Sequence, residues 1–198
     1  MNDSVNLGRM GCGIDRLAAV AWTVGLVVLL TVFDSEVVSA KTAKEIDVSV
    51  DVALEEFEKQ VTGGKEFLAS GKGVLVFPQV IKAGFGIGGE YGEGAMRLDG
   101  KSIEYYSIAS ASFGFQFGAQ AKTIVLVFMQ EDALQNFRTS EGWKVGVDGS
   151  VALVTVGAGG SVDTTKINEP IVGFVFGQKG LMYNLTLEGS KFIKLDKR

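Results

Sequence analysis

The feature that most constrains the fold of this chain is a run in which every second side chain is apolar. The apolar residues are Ala109, Ala111, Phe113, Phe115, Phe117, Ala119 and Ala121. Serine, glycine, glutamine and lysine fill the positions between them, from Ser110 to Lys122. Successive side chains of an extended strand point to opposite faces of a sheet, whereas an α-helix repeats every 3.6 residues. The alternation therefore predicts a long strand with one apolar face.

Further strands are predicted on both sides of this run. The segments rich in β-forming residues are Val74 to Phe77, Ile124 to Met129, Val151 to Val156, Ile171 to Phe176 and Phe192 to Leu195. Gly177 to Gly180 is interpreted as the turn of a terminal hairpin whose second strand begins at Leu181. The chain holds 27 glycines against 2 prolines, and 46% of its residues are hydrophobic, which favours a folded, strand-rich body over disorder.

Two segments have helical periodicity. From Lys41 to Val61 apolar residues recur every three or four positions, which predicts an amphipathic helix ending at Gly63-Gly64. A short helical turn is expected around Glu66 to Ala69, and a short helix is predicted for Glu131 to Phe137. The predicted fold class is α+β with β dominant. We expect a mostly antiparallel glycine-rich sheet or partly closed barrel, with an N-terminal amphipathic helix and one short inserted helix.

The first 40 residues have the pattern of an export leader. Leu17 to Phe33 is an uncharged apolar run, preceded by Arg9 and Arg16 and followed by Val38-Ser39-Ala40. This pattern is typical of a signal peptide, and cleavage after Ala40 is favoured. An uncleaved N-terminal membrane anchor stays open, because the run is near the minimum length for a membrane span. We therefore predict a leader or anchor over 1-40, a single domain over 41-198, and a periplasmic or cell-envelope location.

Composition excludes several kinds of chemistry. Histidine is absent and the only cysteine, Cys12, lies before the apolar run, so a cleaved chain has no thiol, disulfide or Cys/His zinc site. The net charge of −4 offers no basic surface for nucleic acid. No enzyme activity, cofactor or metal is expected. The 41-198 domain holds 17 basic and 19 acidic residues and is nearly neutral.

Two motifs have functional interpretations that their context disfavours. Gly84 to Gly89 matches the dinucleotide fingerprint GxGxxG, but the glycine-rich residues that follow cannot open the required helix. We expect these glycines to let a bent strand pack closely. Glu90 and Glu93 are a candidate acid and base pair. Three residues apart on a strand, they are expected on opposite faces, and we interpret them as a solvated edge.

Other polar and aromatic residues allow weaker hypotheses. Asp148 and Asp163, beside glycines and serines, are candidate calcium ligands, but no stretch has EF-hand spacing and turn hydrogen bonds are favoured. Phe113, Phe115 and Phe117 form a stripe that is a candidate lining for a lipid pocket, although such stripes more often form a core.

A series of short motifs gives the chain a resemblance to the SYLF domain family. The motifs are Gly73 to Pro78, Lys82 to Gly89, Gly92 to Gly94, Ser110 to Gly114, Gly118 to Gln120, Gly142-Trp143, Val147-Asp148, Gly157 to Gly160, and Gly173 to Gly177 with Gly180-Leu181. The resemblance extends from Ile46 to Leu195. It implies a module that binds phospholipid or phosphoinositide; eukaryotic relatives are also linked to actin, and bacterial relatives are exported single-domain proteins.

The resemblance makes a phospholipid or membrane surface the expected partner, with an envelope protein as a further candidate and nucleic acid excluded. The helix from Lys41 to Gln60 carries three lysines against six acids and would be repelled by anionic lipid. Contacts to lipid headgroups are therefore expected from lysines elsewhere, and Lys72, Lys82 and Lys122 are the candidates.

Three hypotheses about function follow. The first is a non-enzymatic lipid-binding module of the cell envelope. The second is a structural or protein-interaction scaffold, favoured by the lack of a cationic patch. The third is an enzyme using carboxylates or lysine, which requires two such groups to converge in a cleft.

Overall fold

The computed structural model describes residues 41–155, 169–180, 187 and 189–197, without the side chains of 113–117 and 155. Lys41–Arg198 forms one compact unit. Its elements, in chain order, are α1 (Ala43–Gln60), α2 (Gly64–Ser70), β1 (Gly73–Leu98), β2 (Lys101–Phe128), α3 (Glu131–Thr139), β3 (Trp143–Lys144), β4 (Ala152–Thr155), β5 (Ile171–Gly180) and β6 (Lys191–Leu195).

Strands β1 and β2 form one long antiparallel hairpin. They pair from Leu98 opposite Lys101 at the turn to Gly73 opposite Phe128 at the open end. The two turn residues, Asp99 and Gly100, have φ values of 48° and 75°. Asp-Gly suits a two-residue turn of this kind, because both positions require positive φ and its twist matches that of the strands. These two residues therefore specify the turn that connects β1 and β2.

The hairpin bends in its middle and folds back on itself. The β1–β2 register shifts between Phe85 and Ile87, and the two arms of β1 then approach with glycines between them. A Cβ on Gly84 would lie 2.6 Å from the Cα of Gly88, and a Cβ on Gly92 would lie 2.8 Å from the carbonyl oxygen of Gln79. The glycines therefore permit a contact between backbones that larger residues would block.

The remaining strands extend each arm of the hairpin. Strand β5 pairs with the C-terminal half of β2, and β4 joins β5 in parallel. Strand β6 pairs with β2 between Tyr105 and Ala109, and β3 pairs with β6. The result is a mixed sheet curled into a half-barrel. We call the side enclosed between the arms the inner face, and the opposite side the outer face.

The inner face carries one hydrophobic core. Apolar side chains from both arms meet there, and the rings of Phe77 and Phe192 lie 5.6 Å apart across the gap. Helix α3 contributes Phe137, whose ring lies 5.0 to 5.7 Å from those of Tyr106, Phe128, Trp143 and Phe192. Burial of aromatic rings is among the largest hydrophobic contributions to a core.

A second core lies between α1 and the outer face. Helix α1 buries Ile46, Val50, Ala53 and Phe57, and the Phe57 ring lies 4.9 Å from that of Phe174. A capping box begins the helix, since the Thr42 side chain accepts from the Glu45 N–H while the Glu45 carboxylate accepts from the Thr42 N–H. The apolar face of α1 therefore packs on protein, as its periodicity predicts.

Polar contacts tie α1 to the turn end of the hairpin. Asp47 accepts hydrogen bonds from Ser102 at 2.5 Å and from Tyr105 at 3.0 Å. Arg97 donates to the Asp47 carbonyl and, at 2.7 Å, to Asp51. These charge-assisted bonds fix the helix over the arm that carries the turn.

The predicted fold class is confirmed, since about 55% of the residues that the structure describes lie in strands and about a quarter in helices. The predicted short helix, extended by two residues to Thr139, and the last strand are also confirmed.

Two boundaries are wrong. Helix α1 ends at Gln60, before the glycines, and Gly177 to Gly180 continues β5 instead of forming a turn, because Lys179 and Gly180 pair with β2. Residues 181–186, the expected second hairpin strand, lie outside the described residues.

The predicted leader also lies outside the described residues. Among the helices of the described part, none is long and apolar enough to cross a membrane.

Candidate functional site: an exposed apolar bend

The bend of the hairpin exposes large apolar side chains on the outer face. Phe85 is 80% exposed and Ile87 is 66% exposed, while Ile81 and Tyr91 are each 50% exposed. All four belong to β1 and lie on either side of its register shift. We call these four residues the apolar bend. Large apolar side chains that remain in water at one place mark a binding surface more often than scattered ones do.

The sequence of the bend explains this surface. Gly84 and Gly88 bring the inner faces of the two arms together, so the residues between and beside them project outward. Gly86, with φ of 71°, supports the change in direction. The segment from Phe77 to Gly89 has Lys82 as its only charged residue, and the segment of β2 that pairs with it, from Ala111 to Ile124, has only Lys122. Both lysines are buried on the inner face, so the outer face of this part of the hairpin is uncharged as well as apolar.

A groove continues this surface toward α1. It has a volume of about 440 Å³ and lies between the helix and the outer face of β1, β2 and β5. Val48 and Val52 of α1, 56% and 61% exposed, line it, as do Lys41 and Lys179. Ala121 pairs with Ile81 on one side and Lys179 on the other, which places an exposed lysine beside the apolar bend.

The inner face beneath the bend is polar. Lys82, Glu90, Gln120 and Lys122 are each at least 95% buried there, and we call them the interior polar cluster. The Lys122 Nζ atom lies 3.2 Å from Oε2 of Glu90, and neither side chain is more than 1% exposed. Burial lowers the pKa of Lys122, which Glu90 opposes and Lys82 reinforces. The pair links the two arms of the hairpin.

The structure separates the three lysines that the sequence nominates. Lys82 and Lys122 belong to the interior polar cluster and do not reach the surface. Lys72 is exposed and lines a different cavity, of about 470 Å³, with Lys65 and Arg97. A joint headgroup site of the three remains a sequence prediction, and of the three only Lys72 is exposed to an outside ligand.

The interpretation of Glu90 and Glu93 as a solvated edge is wrong, because both have cationic partners. Glu90 is buried against Lys122, and Glu93 accepts from Lys197 at 3.1 Å with its side chain 8% exposed. The two carboxylates do lie on opposite faces. Tyr91 donates to Glu93 at 2.8 Å; burial, followed by this hydrogen bond, raises the pKa of Tyr91 to about 12.

The other residues that the sequence nominates do not form a catalytic or metal-binding site in the part of the chain that the structure describes. No group of three potential metal ligands occurs there. Asp148 accepts from the Lys144 N–H at 2.7 Å, so its carboxylate stabilises a turn. Asp163 and the side chains of Phe113, Phe115 and Phe117 lie outside the described residues. Gly84 to Gly89 lies within a bent strand, as the close-packing interpretation predicts.

Sequence reasoning did not identify the apolar bend. The alternation in β2 indicated the phenylalanines of that strand as a binding surface, whereas the exposed residues belong to its partner, β1. The sequence did contain one signal of an exposed apolar surface. The segments Phe77 to Gly89 and Ala111 to Ile124, which pair with each other, hold only one charged residue each. Exposure itself depends on the fold, because the bend turns these side chains away from both cores.

Comparison with protein families supports the resemblance drawn from the motifs. Residues 109–197 match the family model Ysc84, described as Las17-binding protein actin regulator. The match begins within β2 and includes the remaining strands of the sheet. No curated protein matches the chain.

Proposed function

We propose that this chain, whose residues 109–197 match the Ysc84 family model, is a member of that (SYLF) family and a non-enzymatic module that binds the surface of a lipid bilayer. The family is one of binding and scaffold proteins. The exposed apolar bend is the observation that carries the proposal. In this account the bend enters the boundary between headgroups and acyl chains, while the two hydrophobic cores stay packed.

The apolar bend offers enough energy for reversible attachment. Full burial of a phenylalanine or isoleucine side chain contributes about 1.5 to 3 kcal/mol. Phe85 and Ile87 are mostly exposed and therefore still have most of this energy to gain. Ile81 and Tyr91, half exposed, add a smaller share. Tyr91 combines an apolar ring with a polar hydroxyl, as side chains at membrane interfaces commonly do.

The charge distribution favours lipid over a folded protein as the occupant. A bilayer interior accepts an uncharged apolar segment but penalises buried charges by several kcal/mol. The outer face of the bend meets this requirement, because the two charged residues between Ile81 and Tyr91, Lys82 and Glu90, are buried on the inner face. Lys179 lies beside the bend, and the groove that it lines also holds Lys41 and one acid, Glu56, so its lysines can contact phosphate headgroups.

The predicted leader, residues 1–40, indicates where in the cell the module would bind lipid. If residues 1–40 direct export, the module would meet the outer leaflet of the inner membrane or another surface of the cell envelope. A leader that is retained would tether it there. A nearly neutral domain is then suited to binding that depends on apolar contact more than on anionic lipid.

Cosedimentation with phosphatidylcholine vesicles, with and without anionic lipid, tests the proposal. The experiment uses segment 41–198, which forms one compact unit and lacks the apolar leader. Phe85→Ser and Ile87→Ser should each weaken binding about tenfold, since 1.4 kcal/mol corresponds to a factor of ten. Val147→Ser is the matched control, because Val147 is 72% exposed but belongs to the turn after β3.

Binding should persist at moderate salt, since the attraction is mainly apolar. Loss of binding in both bend variants with retention in the Val147 variant supports the proposal. Equal binding by all variants, or none by the parent segment to any vesicle, contradicts it.

A protein-interaction scaffold is the second candidate, and the family description favours it. The same apolar bend would then bury against a protein. In that case the parent segment fails to bind vesicles, while a saturable complex with an envelope protein is lost in the Phe85 variant. If residues 1–40 direct export, actin itself would be out of reach of the chain.

A further inference from the structure

A second cavity lies at the turn end of the hairpin, away from the apolar bend. It has a volume of about 470 Å³ and is bounded by α1, α2, the start of β1 and the β1–β2 turn. Asp51, Leu54 and Glu58 of α1 line it, whereas Val48 and Val52 of the same helix line the groove near the bend. At 100° per residue these two sets lie on opposite flanks of α1. The cavity is therefore separate from the surface proposed to meet the bilayer.

One wall of the cavity is the guanidinium group of Arg97, which is held in one orientation. Nη1 donates to the Gly100 carbonyl oxygen at 2.9 Å, while Nη2 donates to the Asp47 carbonyl oxygen at 3.2 Å and to the Asp51 carboxylate at 2.7 Å. The Nε atom is buried and has no hydrogen-bond partner among the residues that the structure describes. A buried N–H group without an acceptor destabilises a folded protein, and native structures nearly always satisfy it. This N–H group is therefore available to an acceptor from outside the chain.

The rest of the lining has an apolar floor and a balanced rim. The floor is formed by Leu54, Leu68 and Val74, which pack against the outer core but remain partly exposed. The charged residues of the lining are three cations, Lys65, Lys72 and Arg97, and three acids, Asp51, Glu58 and Asp99. A lining without net charge offers little general attraction to an ion, and Arg97 is already paired with Asp51. The cavity therefore favours an uncharged acceptor that carries an apolar group.

We propose that this cavity binds an extended peptide segment of a partner protein through one backbone carbonyl and one apolar side chain. The carbonyl oxygen accepts from Nε of Arg97, and the side chain packs on the floor formed by Leu54, Leu68 and Val74. A peptide supplies both groups within a single residue, and its backbone carries no charge. The volume is within the range of sites that bind small ligands. Attachment to a bilayer through the apolar bend leaves this cavity free for the partner.

Titration of isotope-labelled segment 41–198 with acetyl-leucinamide, followed by NMR, tests the site. The probe is an uncharged mimic of one apolar peptide residue. The Nε–H resonance of Arg97 should move downfield and saturate, because this group gains an acceptor. Arg138 is the internal control, since its Nε already donates to Glu104 at 3.1 Å and its resonance should not move. An Arg97 resonance that stays in place at every probe concentration overturns the proposal.

Two further probes test the chemistry of the ligand. Acetyl-glycinamide lacks the apolar side chain and should bind about tenfold more weakly. Acetyl-leucine, with a free carboxylate, should bind no more tightly than the amide, since the lining has no net charge. Binding of the carboxylate that is tenfold tighter would indicate an anion site and contradict the assignment. Equal binding of the leucine and glycine amides would also contradict it, because the apolar floor would then contribute nothing.

Variants locate the effect. Leu54→Ala should weaken binding of acetyl-leucinamide about threefold, because it removes part of the apolar floor. Val52→Ala is the matched control, since Val52 belongs to the same helix but lines the groove near the bend. Circular dichroism checks that both variants fold, and equal binding by the two contradicts the site. The Phe85→Ser variant should bind the probe as the parent segment does, so failure of bilayer attachment and failure of this site are distinguishable.

Discussion

Single residues in this chain depart from what their type suggests, and the departures have physical causes. Lysine is almost never fully buried unless it is paired, yet Lys122 is 1% exposed because Glu90 reaches it from the opposite arm. Phenylalanine is commonly buried, yet Phe85 is 80% exposed because glycines place it on the outside of a bend. Neither outcome is visible from residue type, since both depend on a partner or a fold that is distant in sequence.

Glu104 allows a prediction about acid stability. Burial raises its pKa, but hydrogen bonds from Arg138, Lys194 and Tyr106 outweigh this and lower the pKa from 4.5 to about 2. A lowered pKa stabilises the folded state above pH 4.5, and this stability is lost as the pH falls toward 2. The loss should be on the order of 2 kcal/mol, reduced by solvent around the half-exposed Lys194.

Urea unfolding between pH 6 and pH 2 measures this effect. Glu104→Gln should lower stability at pH 6 and make it less dependent on pH below 4.5. Glu141→Gln, at an exposed position, should behave like the parent chain. An unaltered pH dependence in the Glu104 variant would show that the ion-pair cluster does not contribute.

At the scale of elements, the bent hairpin depends on specific glycines. A side chain at Gly94 would collide with the carbonyl oxygen of Val76 and come within 2.8 Å of the Phe77 ring. Gly89 lies on the same strand, but a Cβ there would meet only the Ser110 carbonyl oxygen, at 3.9 Å. Glycine is thus required at one position for contact between the arms and is replaceable at the other.

Alanine substitutions distinguish these two glycines. Gly94→Ala should destabilise the chain by about 1 to 3 kcal/mol, because overpacking forces the arms apart. Gly89→Ala should change stability by less than about 0.5 kcal/mol, as expected for a surface position. Chemical denaturation measures both, and equal losses would contradict the proposed contact between the arms.

At the scale of the whole molecule, local patterns predicted the elements but not their arrangement. The period of α1 predicted the face that carries Ile46 and Phe57, and the alternation near Ala109 predicted a strand. The bend was not predictable, because it arises from a register shift and from contacts between Gly84 and Gly88 that alternation does not encode. The motif series gave a resemblance to the SYLF family, which the match over residues 109–197 supports, whereas the exposed surface at Phe85 and the buried pair of Lys122 with Glu90 required the fold.

The most direct test of bilayer attachment is quenching of tryptophan fluorescence by lipids brominated along their acyl chains. Segment 41–198 contains a single tryptophan, Trp143, which is 3% exposed and provides the background signal. With vesicles present, Phe85→Trp should add a signal that shallow bromines quench strongly, whereas Val147→Trp should add one that they do not quench. Equal quenching at both positions, or none at position 85, would contradict insertion of the apolar bend.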